Sequence, residues 1–302
     1  SGPRGAKPHE DEAKQMDVAP ISDAVGVAIS GVDLKQASQA DARAISDLFH
    51  QHGAVLFRDQ QLDPEDLVRF SSHFGALDEA PVNEAGKTAV AGFPEIYVVS
   101  NILGSDGKAV GSLGAGEAAW HTDMSYLERP PKASLLYCVE CPKEGGNTWL
   151  AGMRSALEGM PAELRAKIDG RRIKHDGTFN SAGLVRLGMT ATDDPVTSPG
   201  TYHPIVCRHP ESGADVLYLG RRRNAHVEGL SREASDALLD ALWDHATNPR
   251  FTYGHQWRVG DVLMWDNRAT LHRRDPFDAS ARRYMLRTQI RCETPPEAAA
   301  VA

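Results

Sequence analysis

Trp120-His121-Thr122-Asp123 sets an imidazole and a carboxylate two residues apart. On extended backbone such positions point to the same side, so both side chains can reach one metal ion. With 12 histidines in the chain a His-x-Asp alone is a weak signal, ordinarily a solvated loop, and a third ligand has to come from elsewhere. His272 is the candidate. It follows the strand-like Val262–Trp265 and Asp266-Asn267, and it precedes Arg283 and Arg287, which lie four residues apart in a β-favouring run ending at Arg291. That spacing puts both guanidiniums on one face of a strand. Two histidines and one carboxylate on one side of an ion favour non-haem Fe(II) and leave three coordination positions open. An arginine fork nearby binds a carboxylate bidentately, and a second arginine implies a second anion. A metal and two anionic partners in one pocket exceed what a structural ion site needs. The same ligand set also suits catalytic zinc, so a zinc-dependent hydrolase stays open, as does a non-catalytic organic-anion binding protein.

Those side chains need elements to hold them. Val18 to Ile29 is short, apolar and β-favouring; Ser38 caps a helix whose Ile45, Leu48 and Phe49 form an apolar stripe ending at Gly53, and Ala54–Phe57 follows as a buried strand. Asp63-Pro64-Glu65 opens a second helix that ends at Gly75. Residues 78–118 are rich in Gly, Ala, Asp and Glu apart from a strand over Ile96–Ser100, and because they lead straight into the Trp-His motif they read as an active-site lid. From Trp120 onward β-patterned segments recur, at Ala133–Val139, Ile205–Arg208, Val216–Leu219, Phe251–His255, Asp261–Trp265 and Tyr284–Arg291. Helical stretches interrupt them at Arg154–Ile168, divided by Pro161, and at Ser231–Ala246. Many strands without regular βαβ alternation argue for an antiparallel sandwich or barrel.

The chain has 302 residues, and the organised part reads as one domain over residues 17–295, after a polar leader over 1–16 and before a flexible tail over 296–302. Lys and Arg number 33 against 41 Asp and Glu, a formal charge of −8 that disfavours a general affinity for nucleic acid or an anionic membrane while allowing local basic pockets. The N-terminus lacks the apolar region of a signal peptide and no apolar run approaches the roughly 18 residues of a membrane span, so a cytoplasmic protein, open to homo-oligomerisation, is expected. Cys138 and Cys141 form a lone C-x-x-C with no second pair, which reads as small hydrophobes on a strand rather than a zinc or redox site.

Trp-His-Thr-Asp (120–123), Gly-Gly-Asn-Thr (145–148), Trp-Asp-Asn-Arg-Ala-Thr-Leu-His (265–272) and Ser-Ala-Arg-Arg-Tyr-Met-Leu-Arg (280–287) together resemble the Fe(II)- and 2-oxoglutarate-dependent dioxygenases of the taurine dioxygenase and 2,4-dichlorophenoxyacetate dioxygenase group. Weaker similarity at residues 29–34, 55–58 and 74–75 extends the resemblance over roughly 17–292. It implies a mainly β fold with flanking helices around a double-stranded β-helix, or jelly-roll, core. By the same resemblance His121, Asp123 and His272 hold the iron, and Thr148 and Arg283 bind the distal carboxylate of 2-oxoglutarate. Arg287 binds the acidic group of a small organic acid, and O2 is consumed as 2-oxoglutarate passes to succinate and carbon dioxide. An aryloxyalkanoate or related carboxylate is the expected substrate, with a small alkylsulfonate such as taurine as the alternative. Where the taurine enzymes carry a His and an Asn that grip taurine, this chain has Ala80 and Glu117. The segment 217–230 looks closer to the chlorophenoxyacetate side, where a His at the place of His226 faces substrate. Glu117 and Asn101 are candidate lid contacts, and Arg221 and Arg222 in the run Arg221–Arg223 read as a solvated face.

Overall fold

The computed structural model describes residues 13–80, 89–116 and 118–301. In chain order the strands are β1 (Asp17–Pro20), β2 (Val27–Ser30), β3 (Ala54–Phe57), β4 (Tyr97–Ser100), β5 (Ser112–Leu113), β6 (Ala118–His121), β7 (Ala133–Glu140), β8 (Thr148–Gly152) and β9 (Arg172–Asp176). They continue with β10 (Gly200–Pro204), β11 (Val206–Arg208), β12 (Asp215–Leu217), β13 (His226–Val227), β14 (Thr252–His255), β15 (Val262–Asp266), β16 (Thr270–Arg274), β17 (Tyr284–Ile290) and β18 (Glu297–Ala298). The α-helices are α1 (Gln39–His52), α2 (Pro64–Ser72), α3 (Met153–Glu158), α4 (Ala162–Ala166) and α5 (Arg232–Ala246). None of them is long and apolar enough to cross a membrane.

Two sheets face each other as a jelly roll. The larger runs β1-β2-β3-β15-β7-β17-β4-β5 and the smaller β14-β8-β16-β6. Central strands of the larger sheet are buried on both faces, so they read as continuous apolar runs while their side chains alternate in destination. On β15, Val262 and Met264 point into the cluster under α1 and α2, whereas Leu263 and Trp265 point between the sheets, where they meet Leu150 of β8. β3 and β7 divide their residues in the same way. The outer side of the smaller sheet is covered by α3 and α5 together with residues of β9, β11, β12 and β13.

Local signals explain the helices. Ser38 and Asp63 each form a reciprocal capping box with the aspartate three residues on, a device that stabilises a helix start by about 1 kcal/mol. Pro161 separates α3 from α4. Two pairings are parallel, β2 with β3 and β4 with β5, so the antiparallel expectation holds for the other pairs of the larger sheet. Within the expected lid, β4 is an integral strand of that sheet, paired with β17. Residues read as a flexible C-terminal tail instead carry β18, which pairs Glu297 and Ala298 with Arg208 and Cys207 of β11; Ala299 packs on the core beside it. Polar and Pro-rich composition around Pro295-Pro296 concealed this edge pairing, which needs only backbone groups. The Cys138 and Cys141 thiols are free, Cys138 buried on β7.

Candidate active site

The ladder of the smaller sheet places His272 of β16 directly opposite His121 at the end of β6. Directly opposed residues carry their side chains side by side, and the two imidazole centroids are 4.1 Å apart. Asp123 lies in the turn after β6 rather than on extended backbone as the spacing suggested, and Met124 behind it is left-handed at φ 46°. The turn still swings the carboxylate in: Asp123 Oδ1 is 3.5 Å from His121 Nε2 and 3.6 Å from His272 Nε2. Ligand atoms each about 2.1 Å from one ion are themselves separated by roughly 3 Å or slightly more. His121 Nδ1 donates to the Ala119 carbonyl at 2.7 Å, which fixes the tautomer and leaves Nε2 as a lone-pair donor. The donor set therefore fits a divalent cation, and among the described residues it is the one His/Cys/Asp/Glu group so arranged.

Electrostatics agree with that reading. Burial pushes the His272 pKa down to about 3, helped by the neighbouring His121, and burial likewise lowers His121, so both rings are neutral ligands at pH 7. Burial alone would raise Asp123, yet the charge of Arg287 beside it holds it well below the ordinary carboxylate range. Its second oxygen accepts hydrogen bonds from Ser134 Oγ (2.8 Å) and Gln289 Nε2 (3.0 Å), and Asn267 Nδ2 donates in turn to Ser134 (3.1 Å). Trp265 packs against the His272 ring with centroids 4.8 Å apart. Because such supports orient a ligating carboxylate, Ser134→Ala should weaken Mn(II) binding about 10- to 100-fold in an EPR titration without unfolding the protein. An unchanged affinity would remove Ser134 from the site.

A second constellation adjoins the triad. Arg283 is 1% exposed, and its Nε and Nη1 have no hydrogen-bond partner. Burial, with Arg274 nearby, lowers its pKa to about 9. A buried guanidinium left with bare N–H groups is costly unless an anion completes it. Thr148 shares its cavity, of about 60 Å³, together with His121, His272, Arg274 and Arg287. Trp257 Nε1 donates to Thr148 Oγ1 at 3.0 Å, so the threonine hydroxyl keeps its own proton to donate. Gly145 and Gly146, at φ 75° and 66°, make the turn ahead of β8; a Cβ on Gly145 would lie 2.8 Å from the Pro276 carbonyl.

Arg283 precedes β17 and Arg287 lies on it, with a register irregularity between Tyr284 and Met285; both nonetheless line the same cavity. Arg287 Nη1 is 3.7 Å from Asp123 Oδ2 and its guanidinium lies over the Tyr97 ring. His121 and Arg287 also line a larger cavity of about 1000 Å³, shared with Asp123, Tyr97 and Arg221. Asn101 is placed differently from a lid contact: it donates to the carbonyls of Ala279 and Ala281 and accepts from Arg283 N, so it pins the backbone leading into Arg283. His226 is buried on β13 and lines neither cavity. Glu117 lies outside the described residues.

Several residues were not singled out by sequence. Ser134 interrupts an otherwise apolar run, and Gln289 stands two residues after Arg287, so period two could have found it. Arg221, read as a solvated face, is 8% exposed. An isolated bridge pairs it with His121, and its Nη1 donates to the Phe179 carbonyl at 2.7 Å. Contact made from a distant segment, invisible in a local charge run, accounts for that correction. Arg222 does follow its surface expectation, paired with Asp236 and Asp240 on α5.

Comparison with known proteins agrees with this geometry. Residues 17–289 match the family model "Taurine catabolism dioxygenase TauD, TfdA family". The alpha-ketoglutarate-dependent 2,4-dichlorophenoxyacetate dioxygenase of Cupriavidus pinatubonensis is 32% identical over 278 residues, 89% of this chain and 95% of that one. A taurine dioxygenase structure from Burkholderia xenovorans superposes with TM-score 0.74 at 32% identity, covering 93% of this chain and 92% of its own. The structure of AAD-2 in complex with Mn(II) and N-oxalylglycine gives TM-score 0.74 at 28% identity, covering 93% and 99%. The β-helix fold and the His-Asp-His site thus define a non-haem oxygenase of the jelly-roll class. The chain belongs to the TauD/TfdA family and is an Fe(II)- and 2-oxoglutarate-dependent dioxygenase, which sets aside both the zinc hydrolase and the non-catalytic binding protein.

Proposed function

We propose that the enzyme hydroxylates a small organic acid, with an aryloxyalkanoate or related carboxylate as the preferred class. His121, Asp123 and His272 are the residues that would hold Fe(II), which with 2-oxoglutarate and O2 supplies the oxidising power for C–H hydroxylation. The protein contributes anchoring and exclusion of water. Arg283 and the Thr148 hydroxyl take the distal carboxylate of 2-oxoglutarate; the carrying observation is that Arg283 is buried with bare N–H groups in a cavity continuous with the triad. Arg287 takes the carboxylate of the primary substrate. It stands at the junction of the two cavities and holds Asp123 at a distance long enough for an incoming carboxylate to share it.

The volume of the larger cavity, with Tyr97 and Tyr126 in its walls, suits a ring-bearing acid. Asp78, Glu79 and Tyr97 line it, which supports the stretch 78–118 as a covering wall. A small alkylsulfonate is the second reading, favoured by likeness to the Burkholderia structure titled a taurine dioxygenase. Screening carboxylates and sulfonates for succinate formation tests the proposal, with substituted phenoxyacetates expected to stimulate it most. Arg287→Ala should abolish stimulation by the acid while 2-oxoglutarate affinity stays within about threefold, since that anchor is Arg283. Equal loss of both would show that the two arginines do not divide the anions in this way.

A further inference from the structure

The larger cavity holds positive charge that the hydroxylation of a monoacid does not use. Arg283 serves 2-oxoglutarate and Arg287 one substrate carboxylate, yet Arg221 and Arg186 line the same space. Arg221 is nine-tenths buried and spends one donor on Phe179, while its buried Nε has no hydrogen-bond partner. Arg186 Nε is also buried and without a hydrogen-bond partner, its guanidinium lying 4.5 Å over the Tyr126 ring. The two cations repel: burial and then Arg186 lower the Arg221 pKa, to about 10. Two carboxylates face Arg221 in return. Asp123 is committed to the triad, Ser134, Gln289 and Arg287, and Asp176 accepts from the Phe179 amide through Oδ2. At the mouth Arg291 is already paired with Asp78. Glu79 and Glu293 also line the cavity but act on Arg291, so Asp176 offsets one of the two inner charges and, among the described residues, no carboxylate forms an ion pair with the other. A buried guanidinium beside a half-buried one, each with a buried Nε–H left without a partner, is the donor set of an anion site.

We propose that Arg221 and Arg186 form a second anion subsite in the cavity that holds Arg287, and that the preferred substrate is a dianion, one acid group on Arg287 and the other on the Arg221–Arg186 pair. This rests on the hydroxylation reading for its chemistry, but binding can be measured apart from turnover. The anaerobic Mn(II)–2-oxoglutarate complex should be titrated with phenoxyacetate and with the ortho, meta and para isomers of (carboxyphenoxy)acetate, and succinate formation followed separately with Fe(II) in air.

Wild-type protein is expected to bind at least one dianion about 30-fold or more tightly than the monoanion. Arg221→Gln keeps a side-chain donor for Phe179 and removes the charge; it and Arg186→Gln should each erase most of that preference, with 2-oxoglutarate affinity retained. Arg221→Lys should restore part of it. A wild-type protein with no preference for any dianion overturns the subsite, as does a preference that survives both glutamine variants. If the preference is present and lost in the variants while no acid yields succinate, the subsite stands and the hydroxylation reading falls.

Discussion

Replacing Arg283 by methionine is expected to raise the 2-oxoglutarate concentration needed for half-maximal turnover by about 30-fold or more, because truncating one partner of a buried charge pair costs roughly 2–5 kcal/mol. The same substitution should make the ligand-free protein more stable. The guanidinium is 1% exposed, and the protein offers its Nε and Nη1 no hydrogen-bond partner. Exchanging a buried uncompensated ion for an apolar side chain of similar length relieves a desolvation penalty. For a protein of this size each kcal/mol gained lifts Tm by about 2 °C. Differential scanning calorimetry without 2-oxoglutarate, paired with steady-state kinetics across its concentration, reads both effects. A lower Tm together with an unchanged 2-oxoglutarate requirement would assign Arg283 to the framework instead.

His272→Ala should abolish specific metal binding and lower succinate formation by more than about 100-fold, beyond the loss typical of supporting residues around a metal. Mn(II) EPR titration and 2-oxoglutarate turnover give the two readings. Far-UV circular dichroism should be unchanged, since the backbone pairing of β16 with β8 and β6 does not use the imidazole. A variant that still binds Mn(II) within about threefold of wild type would exclude His272 as a ligand.

How much of this was legible in the chain differs by residue. Ser38, Asp63 and Ser231 announced their helices because caps are local chemistry, satisfied within three residues. The runs 54–57 and 133–139 announced central strands because both faces are buried. β9, β10 and β13 were missed: Arg172–Asp176 carries three charged or polar residues that are buried through contacts outside the element. Ionisable residues on a strand look exposed until their cover is known. At the site, His121, Asp123, His272, Arg283 and Arg287 stood out by type and spacing, and the structure gathers them around adjoining cavities. Trp257 gave no signal for its bond to Thr148, since nothing in its neighbourhood points to a residue so far upstream. Arg221 hid in a run of three arginines whose other two do face outward, because charge density says nothing about which member turns inward.

The pairing of residue 272 with residue 121 also bears on how the protein is born. β16 is inserted between β8 and β6, so a strand made well after both must slot between two that emerged earlier. Until it does, His121 and Asp123 offer an ion only two donors. A complete set of three donors thus waits on the insertion of β16, and a chain cut short before that strand would keep only the pair contributed by β6 and the turn after it.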